Sequence, residues 1–254
     1  MRAEKKPRFS SKRERTAGRI LILIAVMIVL VIGTYIGTRY FNCGMDRYYT
    51  LDRDKRIRDI KGRIDEIEKD GVKDISAMRR LADQYGQLGT IYLEERRWDQ
   101  AIEALDKSIS YGKDTPAIYY SAGLAYANRG SETKNEKDLD RAEAMYRKAI
   151  ERYSAFSQAR NALAILLFYN RDRRDEAVSI MEDVVATDRK NYLARFTLAR
   201  FYYETDRPER ALGVYEELYA DLEKLPPSDI IEDYKNSCRS NIQRIIMEMG
   251  KKKG

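Results

Sequence analysis

The stretch ADQYGQLGTIYLEERRWDQAIEALDKSISYGKDT, residues 82–115, decides the fold. Tyr85, Leu88, Gly89 and Tyr92 fall on one face of a helix, and Ala101, Leu105 and Ser108 fall on one face of a second. The same skeleton returns over residues 192–225 as Leu198, Ala199, Tyr202, then Ala211, Tyr215 and Leu218. In both copies the small residue (Gly89, Ala199) and the next alanine (Ala101, Ala211) are 12 residues apart.

Two further copies lie between. Tyr119, Ala122, Gly123 and Tyr126 precede Ala142, Tyr146 and Ala149, with a gap of 19 residues from Gly123 to Ala142. The seven extra residues fall within Arg129–Asp138, a polar run that reads as an exposed loop. Leu163, Ala164 and Leu167 precede Ala177, Met181 and Val184, with one extra residue near Asn170–Arg174. Small residues at Gly89, Gly123, Ala164 and Ala199 let paired helices approach closely, and the aromatic and leucine positions fill the space between pairs. This 34-residue helix–turn–helix pattern resembles the tetratricopeptide repeat, which stacks into an α-solenoid. The expected repeats are 82–115, 116–156, 157–191 and 192–225. The resemblance implies an all-α scaffold that holds protein partners and has no chemistry of its own.

Composition points the same way. The 254 residues contain no histidine and two cysteines, Cys43 and Cys238. The commonest general base and the Ser–His and Cys–His nucleophilic arrangements are therefore missing. Two distant cysteines make neither a zinc site nor a disulfide framework. No cofactor or metal site is expected, and an enzyme is not. The net charge of +7 is concentrated at the ends: residues 1–19 carry eight Lys/Arg against two Glu. Ile20–Gly250 is close to neutral, so the repeats show no basic footprint for nucleic acid.

Residues 1–19 read as a basic cytoplasmic tail. Ile20–Thr38 follows, 19 residues without a charge, twelve of them Leu, Ile or Val. At a helical rise this run spans about 28 Å, the thickness of a hydrocarbon core. The basic near flank places the N-terminus in the cytoplasm and the repeats across the membrane, in the periplasm for a bacterial inner membrane. A cleaved leader and a lipidated Cys43 are the rival readings.

Residues 39–81 form a charged connector in which Ile57, Ile60, Ile64 and Ile67 make a heptad-like stripe. Two readings follow: self-association through 46–70, or a single amphipathic helix folded back on the first repeat. After the repeats, Pro226 and Pro227 stop the chain. Residues 226–254 read as a capping helix with a basic tail, with Ile230, Ile231, Tyr234, Cys238, Ile242, Ile245, Ile246 and Met249 as its stripe.

The resemblance also implies where a partner sits. The family's first helices line a concave groove. Its second, fifth, ninth, twelfth and thirteenth positions here include Asn128, Gln158 and Asn161, and an apolar-aromatic set: Tyr120, Leu124, Ile165, Phe168, Tyr169, Phe196 and Tyr203, with Arg200 among them. The carboxylate clamp of co-chaperone members is absent, because Gly86 and Thr90 stand at its positions. Such a wall suits an amphipathic helix or an extended apolar segment. Three functions are compatible: an adaptor in an envelope assembly, a structural subunit of a large envelope machine such as a flagellar-motor collar, or a chaperone for exported chains.

Overall fold

The computed structural model describes residues 52–72 and 74–253. The expected tail 1–19, the apolar run Ile20–Thr38 and Cys43 lie outside the described residues. Among the described residues no helix is long and apolar enough to cross a membrane. The chain divides into two compact units, Met1–Asp59 and Ile60–Gly254. Of the first, only 52–59 are described, as the start of a helix, α1, that runs over 52–69.

The second unit is an all-α solenoid. After α1 come α2 (Ile75–Glu94), α3 (Trp98–Ser110), α4 (Pro116–Thr133), α5 (Glu136–Arg152), α6 (Ser157–Asn170), α7 (Arg174–Thr187), α8 (Tyr192–Glu204), α9 (Pro208–Glu223) and α10 (Asp229–Lys253). Each helix packs mainly on its chain neighbours, α2 on α3, α4 on α5, α6 on α7 and α8 on α9. Four complete pairs are thus stacked, with α1 before the first and α10 closing the last. Local chemistry sets the starts. Asp74 caps α2 by accepting from Ala77 N at 2.7 Å, and Thr115, Asn135 and Asn191 cap α4, α5 and α8. Pro116 and Pro208 occupy first-turn positions, where no amide hydrogen is needed.

The four turns inside the pairs share one device. Arg96, Lys134, Asp172 and Asp206 each take a left-handed conformation, with φ between 51° and 60°. In three of them the amide just after the left-handed residue bonds back five residues: Arg97 N to Tyr92 O, Asn135 N to Gly130 O, and Arg207 N to Tyr202 O. In the third pair Arg173 N reaches Leu167 O, six residues back, which absorbs the one extra residue read near Asn170–Arg174.

The second pair differs from expectation. Arg129–Asp138 is not an exposed loop: α4 continues to Thr133 and α5 begins at Glu136. Measured from the small residue and the alanine, α4 gains five residues, α5 gains three, and the turn loses one relative to α2 and α3. The longer pair is held from inside by Gly130 against Leu139 and by Arg129, whose guanidinium grips both oxygens of Asp138 at 2.7–2.8 Å.

The later part of the connector stripe packs inward. Ile60, Ile64 and Ile67 are buried in the single chain. Arg63 Nε donates to Gln84 (2.7 Å), and Tyr85 Oη donates to Glu68 (2.8 Å). From Ile60 onward, α1 therefore lies against α2 as an amphipathic helix. Of the stripe proposed for self-association through 46–70, the part formed by Ile60, Ile64 and Ile67 is buried within the second unit. At the other end Cys238 and Ile245 of α10 are buried, and burial pushes the Cys238 thiol up to about 11, consistent with a small apolar packing residue.

Candidate partner groove

The first helices of the pairs, α2, α4, α6 and α8, line up along one wall. Between α4, α6 and the start of α8 this wall encloses a cleft of about 470 Å³. Tyr120, Leu124 and Ile165 form its apolar patches, and Asn128, Gln158, Asn161, Asn170, Asn191 and Ser131 ring them. No side chain lining the cleft carries a formal charge. Tyr120 is held edge-on to Phe156 (5.4 Å) and tilted against Tyr146 (6.2 Å), and burial raises its phenol pKa. Asn128 Nδ2 donates to Leu124 O, Asn170 Nδ2 donates to Ser131 Oγ, and the Asn191 side chain caps α8. Asn161 Oδ1 is buried and has no partner. Leu193, 52% exposed, forms the far lip.

The other expected groove residues divide. Phe168 is 2% exposed and stacks on Phe201 at 4.0 Å. It belongs to the packing between the third and fourth pairs, which departs from the groove expectation. The reason is register: Phe168 sits at the end of α6, where the stacked helices are in contact. Its neighbour Tyr169 is 47% exposed and donates to Glu204 Oε1 at 2.7 Å. Burial and that carboxylate push the Tyr169 phenol up to about 12. Arg200 lies over the Tyr169 ring at 5.2 Å, with its Nε 3.8 Å from Glu204 Oε1.

Phe196 and Tyr203 meet the capping helix. Phe196 packs edge-on to Tyr215 (5.3 Å) and Tyr234 (6.1 Å). Tyr203 Oη donates to Glu248 (2.6 Å), and Arg244 sits over its ring at 4.7 Å. Helix α10 thus covers part of the wall that the sequence leaves open. Near the N-terminal end a shallower hollow of about 360 Å³ is lined by Asp83, Gln87, Thr90 and Ala117, with Lys113 paired to Asp83.

The cleft is more polar than the sequence reading of an apolar-aromatic wall. Gln158, Asn161 and Asn128 fall at expected groove positions. Asn170 and Asn191 do not, because they belong to helix ends that only stacking brings to the cleft. Asn191 has a sequence mark of its own, since a capping residue's amide stands at the mouth of a helix.

Tetratricopeptide-repeat family models match residues 87–138 and 169–222. No curated protein matches the sequence. Among solved structures, MamA is similar with a TM-score of 0.54 and 18% identity, covering 70% of this chain and 94% of MamA. TTC0263, a thermophilic TPR protein of Thermus thermophilus, is similar with a TM-score of 0.51 and 18% identity, over 75% of this chain and 99% of its own. PilF of Pseudomonas aeruginosa has a TM-score of 0.53 at 16% identity, over 68% and 71%. At these identities the likeness is one of fold. Four stacked pairs with one shared turn, two family matches inside them and these neighbours together support the tetratricopeptide-repeat family for the repeat region.

Proposed function

We propose that this protein is a membrane-tethered adaptor that holds a protein partner along the concave wall, at the cleft between α4, α6 and α8. The observation that carries the reading is the cleft itself: a concavity of about 470 Å³, with apolar patches at Tyr120, Leu124 and Ile165 inside a ring of amides. The tether is supported by Ile20–Thr38 and by the eight basic residues before it. That charge asymmetry favours a partner in an envelope assembly on the far side of the membrane.

A photo-crosslinking residue placed at Leu124 or Ile165 in intact cells tests the site. Both positions should give the same discrete adduct, and Lys148, an exposed residue of α5, should not. Adducts from Lys148 alone would move the partner to the opposite face. A reporter active only outside the cytoplasm, fused after Gly254, tests the tether: activity is expected, and activity confined to a cytoplasmic reporter would overturn it.

A further inference from the structure

One tyrosine recurs through the array. Tyr92, Tyr126 and Tyr202 stand at the eleventh position of the first, second and fourth repeats, and each is buried. In the second and fourth repeats the hydroxyl reaches an acid on the preceding second helix. Tyr126 Oη donates to Asp106 Oδ2 and Tyr202 Oη donates to Glu182 Oε1, both at 2.5 Å and both across 20 residues of sequence. An arginine accompanies each pair: Arg129 lies over the Tyr126 ring at 5.7 Å, and Arg210 over the Tyr202 ring at 5.5 Å. The first repeat has the tyrosine and the arginine, with Arg97 over the Tyr92 ring at 4.5 Å, but not the acid. At the corresponding distance before Tyr92 stands Val72. Tyr92 is only 3% exposed, yet among the described residues its hydroxyl has no hydrogen-bond partner. In place of the acid there is a cavity of about 390 Å³ between α1, α2 and α3, with Tyr85, Leu88 and Tyr92 as its α2 wall. It lies on the side of α2 opposite the hollow at Asp83, Gln87 and Thr90.

We infer that this cavity is a second partner site, separate from the concave wall, and that it takes the carboxylate of an acidic side chain from a protein partner. The partner's acid stands to Tyr92 as Asp106 and Glu182 stand to the other two tyrosines. A buried hydroxyl without a partner is costly, and an acceptor oxygen removes that cost. A negative charge on the acceptor strengthens the bond. Arg97 beside the Tyr92 ring, and Lys61 and Lys107 in the cavity wall, favour that charge. Two of the lining acids already have partners. Glu68 accepts from Tyr85 Oη at 2.8 Å, and Glu103 pairs with Lys107 at 3.1 Å. Asp65 opposes a carboxylate, but it sits one helical turn from Lys61 on the same face of α1, which offsets it. A cationic side chain fits less well, because the aromatic faces that would hold it are taken. Arg97 covers Tyr92, and Lys107 lies over Tyr85 at 5.1 Å while Tyr111 stacks on the same ring.

Selection of a phage-displayed library of random peptides on the full chain, held in detergent micelles, tests this. Clones that bind the Tyr92→Phe chain equally well are set aside. Tyr92→Phe removes only the hydroxyl and should leave the thermal melt unchanged, because that hydroxyl has no partner to lose. Tyr126→Phe, which breaks the bond to Asp106, should lower it. The remaining peptides should share an Asp or Glu. Changing that one residue to Asn or Gln should weaken a synthetic peptide at least about tenfold, the worth of a charge-assisted bond. Lys61→Met should weaken the same peptides, and Ile165→Asp, in the concave cleft, should not. Should Tyr92→Phe disturb the fold, the peptides kept are those that Ile165→Asp does not weaken, and their dependence on the acid decides. A shared Lys or Arg in place of the acid would overturn the carboxylate. Free glutarate that competes as strongly as the peptides would overturn the protein partner and leave a site for small carboxylates. A folded protein that retains no such peptide would overturn the site itself, while clones lost only in Ile165→Asp would leave the concave groove standing.

Discussion

At the scale of single residues, the close approach of paired helices rests on side chains that are missing. A Cβ at Gly123 would stand 2.6 Å from the ring of Tyr146, which is almost wholly buried and has nowhere to move. A Cβ at Gly89 would meet Leu105 at 2.6 Å in the same way. Gly213, inside α9, has nothing within 4 Å of that position. Gly123 and Gly213 should therefore respond in opposite directions. Gly123→Ala forces α4 and α5 apart and should cost about 1–3 kcal/mol, as overpacking does. Gly213→Ala only stiffens the unfolded chain and should gain about 0.5–1 kcal/mol. Denaturant melts of the two variants check this, and equal losses would mean that the pairs do not depend on the contact at Gly123. The same logic separates Phe168 from its neighbours on the wall. Stacked on Phe201, it packs between repeats, while Tyr120 and Ile165 border open space.

At the scale of elements, acidic residues in the first turns of α3, α5 and α7 take an arginine from the following repeat: Asp99 from Arg129 (2.8 Å), Glu136 from Arg171 (2.5 Å) and Asp175 from Arg207 (2.6 Å). The acids suit the positive helix N-terminus, and the arginines fix the register of neighbouring turns. Most of these pairs are solvated and contribute little. Arg129 is different, because its second partner, Asp138, is buried. Burial penalises an unpaired carboxylate, so Arg129→Met should cost about 2 kcal/mol, less than a fully buried pair because Arg129 itself reaches solvent. Arg152→Met, which breaks an exposed pair with Asp114, should leave the melt nearly unchanged. Thermal melts in low and high salt check the contrast: the loss in Arg129→Met should persist in salt, and a loss that salt erases would mean a surface effect. This pair also shows where the sequence could be read and where it could not. The small-residue and alanine skeleton carried the repeats, because close helix packing leaves a fixed spacing. The extra residues of the second repeat read as a loop because they are polar. Their helicity depends on Arg129, Asp138 and Gly130 meeting across the turn, contacts that no local periodicity displays. The cleft between α4, α6 and α8 is more polar than the apolar-aromatic wall read from the sequence, since amides at helix ends such as Asn170 and Asn191 reach it only through stacking.

For the whole molecule, a solenoid's stability is distributed between neighbours, and its ends are its weak points. Helix α10 closes one end. It buries Cys238 and Ile245, packs on α9, places Tyr234 against Phe196, and ties Tyr203 through Glu248. Beneath it Tyr215, Leu218 and Leu222 are fully buried. Ending the chain at Leu225 should expose part of that set, and each such side chain is worth about 1.5–3 kcal/mol when buried. The fourth pair, whose remaining support is the contact of α7 with α8, should then open locally while the first two pairs hold. Hydrogen exchange reads this directly. Amides of α8 and α9 should lose protection by several orders of magnitude in the shortened chain, and those of α2–α5 should keep it. Equal loss along all the helices would mean that the array unfolds as one unit. Retained protection in α9 would mean that α10 lies on the array without supporting it. The groove gives the experiment a second readout, because the cleft is built mainly from α4 and α6 with only the start of α8. Crosslinking from Leu124 should therefore survive the truncation better than crosslinking from Leu193, which follows the fate of the fourth pair.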